Sequence, residues 1–136
     1  MKFLFVGVLL VLSLNACKPD ASVAPGTLSG EITIDATLQR QADPNAVLYI
    51  IARKEVGPPL AVKKVTQPQF PLPYALSQAD VMLPGMSFQG EVMVSARLDK
   101  DGNAGPLQSG DMTGATARTV PIGQGQVDIT IDTLIP

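Results

Sequence analysis

Histidine and tryptophan are missing from the 136-residue sequence, and cysteine occurs once, at Cys17. Without histidine there is no imidazole base, no histidine-ligated zinc or haem, and no Ser-His-Asp triad. A lone cysteine excludes an intrachain disulfide, a CxxC redox pair and a cysteine-pair metal site. Charge is sparse. Ten Lys and Arg against 12 Asp and Glu leave a net charge of −2, which offers no field for a phosphate backbone, so nucleic acid is not expected as a partner. Hydrophobic residues nevertheless reach 46 %, which separates the chain from solvated, disordered tails. The length suits about one domain.

What is present begins with an address. Lys2 is followed by an almost purely apolar run from Phe3 to Leu14, then by Asn15, Ala16 and Cys17. A basic start, a short apolar core and a small residue before a cut describe a secretory signal peptide. The run falls short of the roughly 20 apolar residues that a membrane-spanning helix needs. Leu14-Asn15-Ala16-Cys17 resembles a bacterial lipobox. That resemblance implies cleavage before Cys17, a diacylglyceryl group on its sulfur and an acylated, palmitate-type amine. Two or three acyl chains, at about 0.8 kcal/mol per buried CH2, anchor stably. Lys18 follows the cysteine, where lipoproteins of the inner membrane usually carry Asp, so the outer membrane is the expected address. An ordinary secreted protein with an unmodified Cys17 is the alternative. Residues 1–16 are thus expected to be a signal peptide and 17–26 a polar, proline-containing tether. Residues 27–136 are expected to fold. Loss of Lys2 leaves 9 positive and 12 negative side chains, a mature net charge of −3.

The folded part reads as strands. Ile32, Ile34 and Leu38 alternate with Thr33, Asp35 and Thr37, the period of a half-buried strand. Val47 to Ala52 is continuously apolar and rich in β-branched residues, which predicts a central strand covered on both sides. Leu60 to Val65 predicts a shorter strand. Val92, Val94, Ala96 and Leu98 alternate with Glu91, Met93, Ser95 and Arg97, and Val127, Ile129 and Ile131 with Asp128, Thr130 and Asp132. Turn chemistry divides these runs at Asp43-Pro44-Asn45, Gly57-Pro58-Pro59, Pro84-Gly85, Asp101-Gly102-Asn103 and Gly123-Gln124-Gly125. The alternate prolines of Pro68 to Tyr74 suit an edge strand. One helical turn is expected near Ser77 to Met82. The prediction is an all-β, immunoglobulin-like antiparallel β-sandwich of about seven strands.

Few residues could carry chemistry. Met82, Met86, Met93 and Met112 are soft thioethers of the kind that select Cu(I), and a periplasmic Cu(I) site is one reading; packing at a core edge is the other. Asp99-Lys100-Asp101-Gly102-Asn103 resembles half a calcium loop, but the distal glutamate is missing, which favours a hairpin turn. Asp128 and Asp132 share a strand face and are expected in solvent rather than in a glycosidase cleft. Lys63-Lys64 is too small a patch for a polyanion. Arg53, ending the most apolar strand, is expected to pair with a carboxylate or a carbonyl. A hydrolase using Asp and Tyr requires a pocket holding two titratable groups. No catalytic residue, resident metal or cofactor is expected.

From Tyr49 onward, motifs follow in a distinctive order: Ile51-Ala52-Arg53, Gly57-Pro58-Pro59-Leu60-Ala61-Val62-Lys63, Leu72-Pro73, Asp80, Met82 to Met86, Val92 to Leu98, Lys100 to Ala104 and Gly110 to Gly114. Together they make the last 90 or so residues similar to the C-terminal periplasmic β-domain of cytochrome c-type biogenesis proteins of the CcmH/CycH/CcmI kind. In that family the domain follows transmembrane helices and tetratricopeptide repeats, and the complex delivers apocytochrome c for haem ligation. The resemblance implies an envelope binding or assembly module with no family active site to carry over. The expected function is a non-catalytic, lipid-anchored, periplasm-facing module. Its expected partner is an envelope protein, and a sheet edge or the loop from Met82 to Phe88 is the expected contact.

Overall fold

The computed structural model describes residues 25–136. The signal peptide, Cys17 and most of the tether lie outside the described residues. Nine strands form among the described residues, in the order β1 (Leu28–Ile34), β2 (Val47–Arg53), β3 (Pro59–Thr66), β4 (Leu72–Leu76), β5 (Glu91–Asp99), β6 (Met112–Ala115), β7 (Val120–Pro121), β8 (Ile129–Ile131) and β9 (Thr133–Leu134). They make the β-sandwich that the alternation predicted. A small sheet runs β4-β1-β8, and a large one runs β3-β2-β5-β6-β9, with β7 paired to β5. Neighbours are antiparallel except β1 and β8, which pair in parallel from Ile32–Ile129 to Ile34–Ile131. No helix among the described residues is long and apolar enough to cross a membrane.

The core follows from period two. Val92, Val94, Ala96 and Leu98 of β5 and Leu48, Ile50 and Ala52 of β2 turn inward from the large sheet. They meet Leu28, Ile32, Leu76, Ile129 and Ile131 of the small sheet, and all are buried. Burying side chains of this kind supplies roughly 1.5–3 kcal/mol each, in a domain with no disulfide to help.

Some expectations need correction. The first strand stops at Ile34 rather than running to Leu38. Asp35 Oδ1 accepts from the backbone N–H of Thr37 at 2.9 Å and from its hydroxyl at 2.6 Å, which bends the chain into a turn. Leu38 still reaches the core, from that turn. β2 is central, yet its outer face is only partly sealed: Tyr49 is buried, Ile51 half-buried and Arg53 exposed. β6, β7 and β9 were not anticipated; none is longer than four residues. The helical turn is a 3-10 turn, Gln78–Asp80, and Ser77 and Asp80 close a reciprocal capping box around it. At Gly57 and Gly85 the chain turns with φ of +107° and +80°, a region open to glycine.

Tyr74 locks the small sheet. Its buried hydroxyl donates to the Val127 carbonyl at 2.6 Å, joining β4 to the segment that enters β8. Burial, and then the negative charge of Asp128, raise its ionisation well above the ordinary value of 10.0. The folded state therefore keeps this proton. Its contribution is full below pH 10 and is lost as pH climbs past that value. Tyr74→Phe is expected to lose about 1–2 kcal/mol at neutral pH in urea denaturation. It is also expected to flatten the decline in stability above pH 10, and an unchanged alkaline slope would contradict this account.

Candidate functional site

Among the described residues, the outer face of the large sheet is open. Register places three rows of side chains across β3, β2 and β5: Lys64–Tyr49–Arg97, Val62–Ile51–Ser95 and Pro59–Arg53–Met93. Over this face lies a groove of about 330 Å³, lined by Tyr49, Ile51, Arg53, Pro59, Val62, Met82, Arg97 and Ala104. Its floor is apolar. Lys64 Nζ stands 6.0 Å from the centre of the Tyr49 ring, and the Tyr49 hydroxyl donates to Gly102 O at 2.9 Å. One wall is Met82, held to β3 by its N–H to Leu60 O at 3.0 Å. The other is Ala104, in the loop of residues 100–111 between β5 and β6.

That loop is organised by a half-buried cation. Arg97 gives Nη2 to Asp99 Oδ2 at 2.5 Å and to Asp111 Oδ2 at 3.2 Å, and Nη1 to Gly105 O at 2.6 Å. Asp99 Oδ1 accepts from the N–H of Asp101 and Asn103, and Asp111 Oδ1 from that of Lys100. The stretch that resembles half a calcium loop is therefore closed around a guanidinium. It does lie in a hairpin connection, because β5 and β6 pair antiparallel, but the connection is twelve residues long, 100–111. Burial raises the Asp99 carboxyl, with Asp101 and Asp111 adding to this and Arg97 opposing it. The N–H of Asn103 lowers Asp101. Sequence reading missed this network; the opposite charges of Arg97 and Asp99, two positions apart on one face of the strand, were the available signal.

The other candidates separate. Met112 is buried between the sheets, and Met93 lies on the outer face, its sulfur 3.8 Å from the Thr116 hydroxyl. Met82 and Met86 are exposed but line different cavities. No described cavity gathers two of the four sulfurs. Arg53 has no ion pair among the described residues, contrary to the expected pairing. Lys63 instead reaches Ala75 O at 2.5 Å and Asp80 at 3.6 Å. Asp128 accepts from the Glu31 N–H, and Asp132 from the Thr133 hydroxyl. Two further cavities, of about 310 and 360 Å³, flank residues 39–44. The groups whose ionisation is displaced, Asp35, Tyr74, Asp99 and Asp101, line none of these cavities.

No solved structure matches the chain. The cytochrome c-type biogenesis protein CycH of Pseudomonas aeruginosa is 35% identical over 91 residues, 63% of this chain. The match covers 22% of that protein, so the chain spans about a fifth of its curated relative. The family described as the cytochrome c-type biogenesis protein H Ig-like domain matches residues 28–132, from the first residue of β1 to the crossing between β8 and β9. With the sandwich and its match in register over nearly the whole described body, the chain belongs to the family of CycH Ig-like domains.

Proposed function

We propose that the chain is a lipid-anchored, periplasm-facing module without catalytic activity that binds a protein partner during cytochrome c maturation. The anchor is Cys17, and Lys18 directs it to the outer membrane. The observation that carries the binding role is the groove on a family member's large sheet. An apolar floor of Tyr49, Ile51 and Val62 is bordered by Arg53 and Lys64, neither of which has an ion pair among the described residues. Such a surface suits a peptide segment with apolar side chains and a carboxylate, which fixes its direction.

Arg53→Glu reverses a charge at an exposed position, so stability is expected to stay within about 0.5 kcal/mol of the parent. Capture of cytochrome c maturation components from detergent-solubilised membranes is expected to fall about ten-fold or more, and covalently bound haem in c-type cytochromes to fall with it. A strain lacking the chain that keeps full c-type haem staining, together with parent-level capture by Arg53→Glu, would remove the proposal.

A further inference from the structure

The described residues expose five large apolar side chains, and three of them, Val56, Leu83 and Met86, lie together at one end of the sandwich, with Met82 next to Leu83 on the groove wall. Val56, Leu83 and Met86 line one shallow apolar depression with Pro58, Pro59 and the stem of Lys54. The fifth, Leu107, stands alone in the loop at the opposite end. A contiguous, exposed apolar surface of this kind marks a contact.

The topology says what it faces. Leu28, where the chain enters β1, is the register partner of Leu76 at the end of β4. Two residues beyond Leu76, the side-chain amide of Gln78 donates to Met86 O at 2.8 Å and accepts from the Phe88 N–H at 2.7 Å. Val81 then bridges to Ala61 near the start of β3, beside the Lys54 to Pro58 tip. The tether therefore leaves the body at the end that carries the apolar patch. Eight residue steps separate Cys17 from Pro25, a span of at most about 30 Å.

Charge divides along the same axis. Asp35, Asp43, Asp99, Asp101, Asp111 and Asp132 all lie at or beyond the strand ends of the opposite pole, against Arg40, Lys64, Arg97 and Lys100. The tether end carries Arg53, Lys54, Lys63 and Arg118 against Glu55, Asp80, Glu91 and Asp128. An anionic bilayer repels the first pole and tolerates the second.

We infer that Val56, Leu83 and Met86 seat on the lipid bilayer itself, so that the domain stands on its tether end with the acidic pole outward and the groove facing sideways. The inference rests on the lipid anchor proposed at Cys17. Apolar tips dip into the headgroup region and Lys54 stays at the phosphates, an arrangement in which the acyl anchor and the patch reinforce one another.

The test uses the full-length chain, expressed and processed in bacteria, with a single added cysteine at V56C, M86C or, for the opposite pole, D101C. Each is labelled with an environment-sensitive fluorophore and reconstituted into vesicles of phosphatidylethanolamine and phosphatidylglycerol containing spin-labelled lipid. Probes at positions 56 and 86 are expected to be quenched about two-fold or more relative to position 101. Mass spectrometry of the same samples reports on Cys17. An acylated Cys17 with no quenching at 56 or 86 overturns the seating and leaves the anchor standing. An unmodified Cys17 thiol overturns both. A photoreactive group placed on V56C instead that crosslinks to a protein in whole cells, with the fluorophore at the same position unquenched in protein-free vesicles, overturns the seating in favour of a protein contact.

Discussion

Arg97→Ala is expected to destabilise the domain by about 3–5 kcal/mol, because it leaves buried carboxylates without their cation. The side chains of Asp99 and Asp111 are 1% and 2% exposed, and both accept from the same Nη2. Lysine in its place keeps the charge but has no planar fork to reach Asp99, Asp111 and the Gly105 carbonyl together, so Arg97→Lys is expected to recover part of the loss. Acid separates this mechanism from simple loss of packing. The Asp99 carboxyl is already raised by burial, and removing Arg97 removes what opposes the rise. A carboxyl raised in the folded state favours folding below its unfolded value, and that contribution is lost as pH rises through the folded value. The deficit of Arg97→Ala is therefore expected to shrink as pH falls from 7 toward the ordinary 3.8. The parent chain behaves oppositely at Asp35 and Asp101, whose pKa values are lowered by hydrogen bonds to the carboxylate, so their stabilisation fades as pH drops below 3.8. Urea denaturation at pH 7 and pH 5 measures the difference. Should Arg97→Ala fail to fold, the triple variant R97A/D99N/D111N removes the stranded charges and is expected to restore folding. A deficit independent of pH would show that the arginine acts through packing alone.

The same network shows where the sequence stops being legible. Alternation in β5 and in Val127 to Ile131 names the core-facing residues directly, since burial of one face imposes period two. The Pro-rich stretch marks an edge strand, and β4 is one. Those signals are local. Arg97 and Asp111 are 14 positions apart and meet only because the loop folds back on β5. The parallel pairing of β1 with β8 joins residues 97 positions apart, as at Thr33 and Thr130, and no local pattern encodes it. The run Val47 to Ala52 misled in a simpler way. Continuous apolarity suits a strand sealed on both faces, but in β2 the second face is the floor of the groove. Tyr49 is buried on that face, but Ile51 is half-buried and Arg53 exposed, so its apolar residues line a groove rather than complete a second buried layer. β6 escaped notice because a strand of four residues that includes a glycine carries little β-propensity.

Gly114→Ala is expected to cost about 3 kcal/mol and to lower the melting temperature by about 15 °C, although alanine is the better strand residue. Gly114 belongs to β6 of the large sheet, and a methyl group there would overlap the Thr130 carbonyl on β8 of the small sheet. The crowding has a topological cause. After Ile131 the chain crosses between sheets: the Asp132 N–H donates to Thr113 O at 3.1 Å, and Thr133 and Leu134 then pair with β6. This crossing draws the two backbones together, and only a residue without a side chain fits between them. Backbone atoms cannot swing aside as a flexible side chain can. To admit the methyl group, β8 must move, and with it Ile129 and Ile131, both buried in the core. Gly105→Ala is the control. Its added carbon would meet nothing closer than the Asn103 side chain at 3.6 Å, so no loss of stability is expected. Thermal unfolding of the two variants beside the parent checks the argument. A Gly114→Ala domain as stable as the Gly105→Ala domain would mean that the sheets do not close at this point.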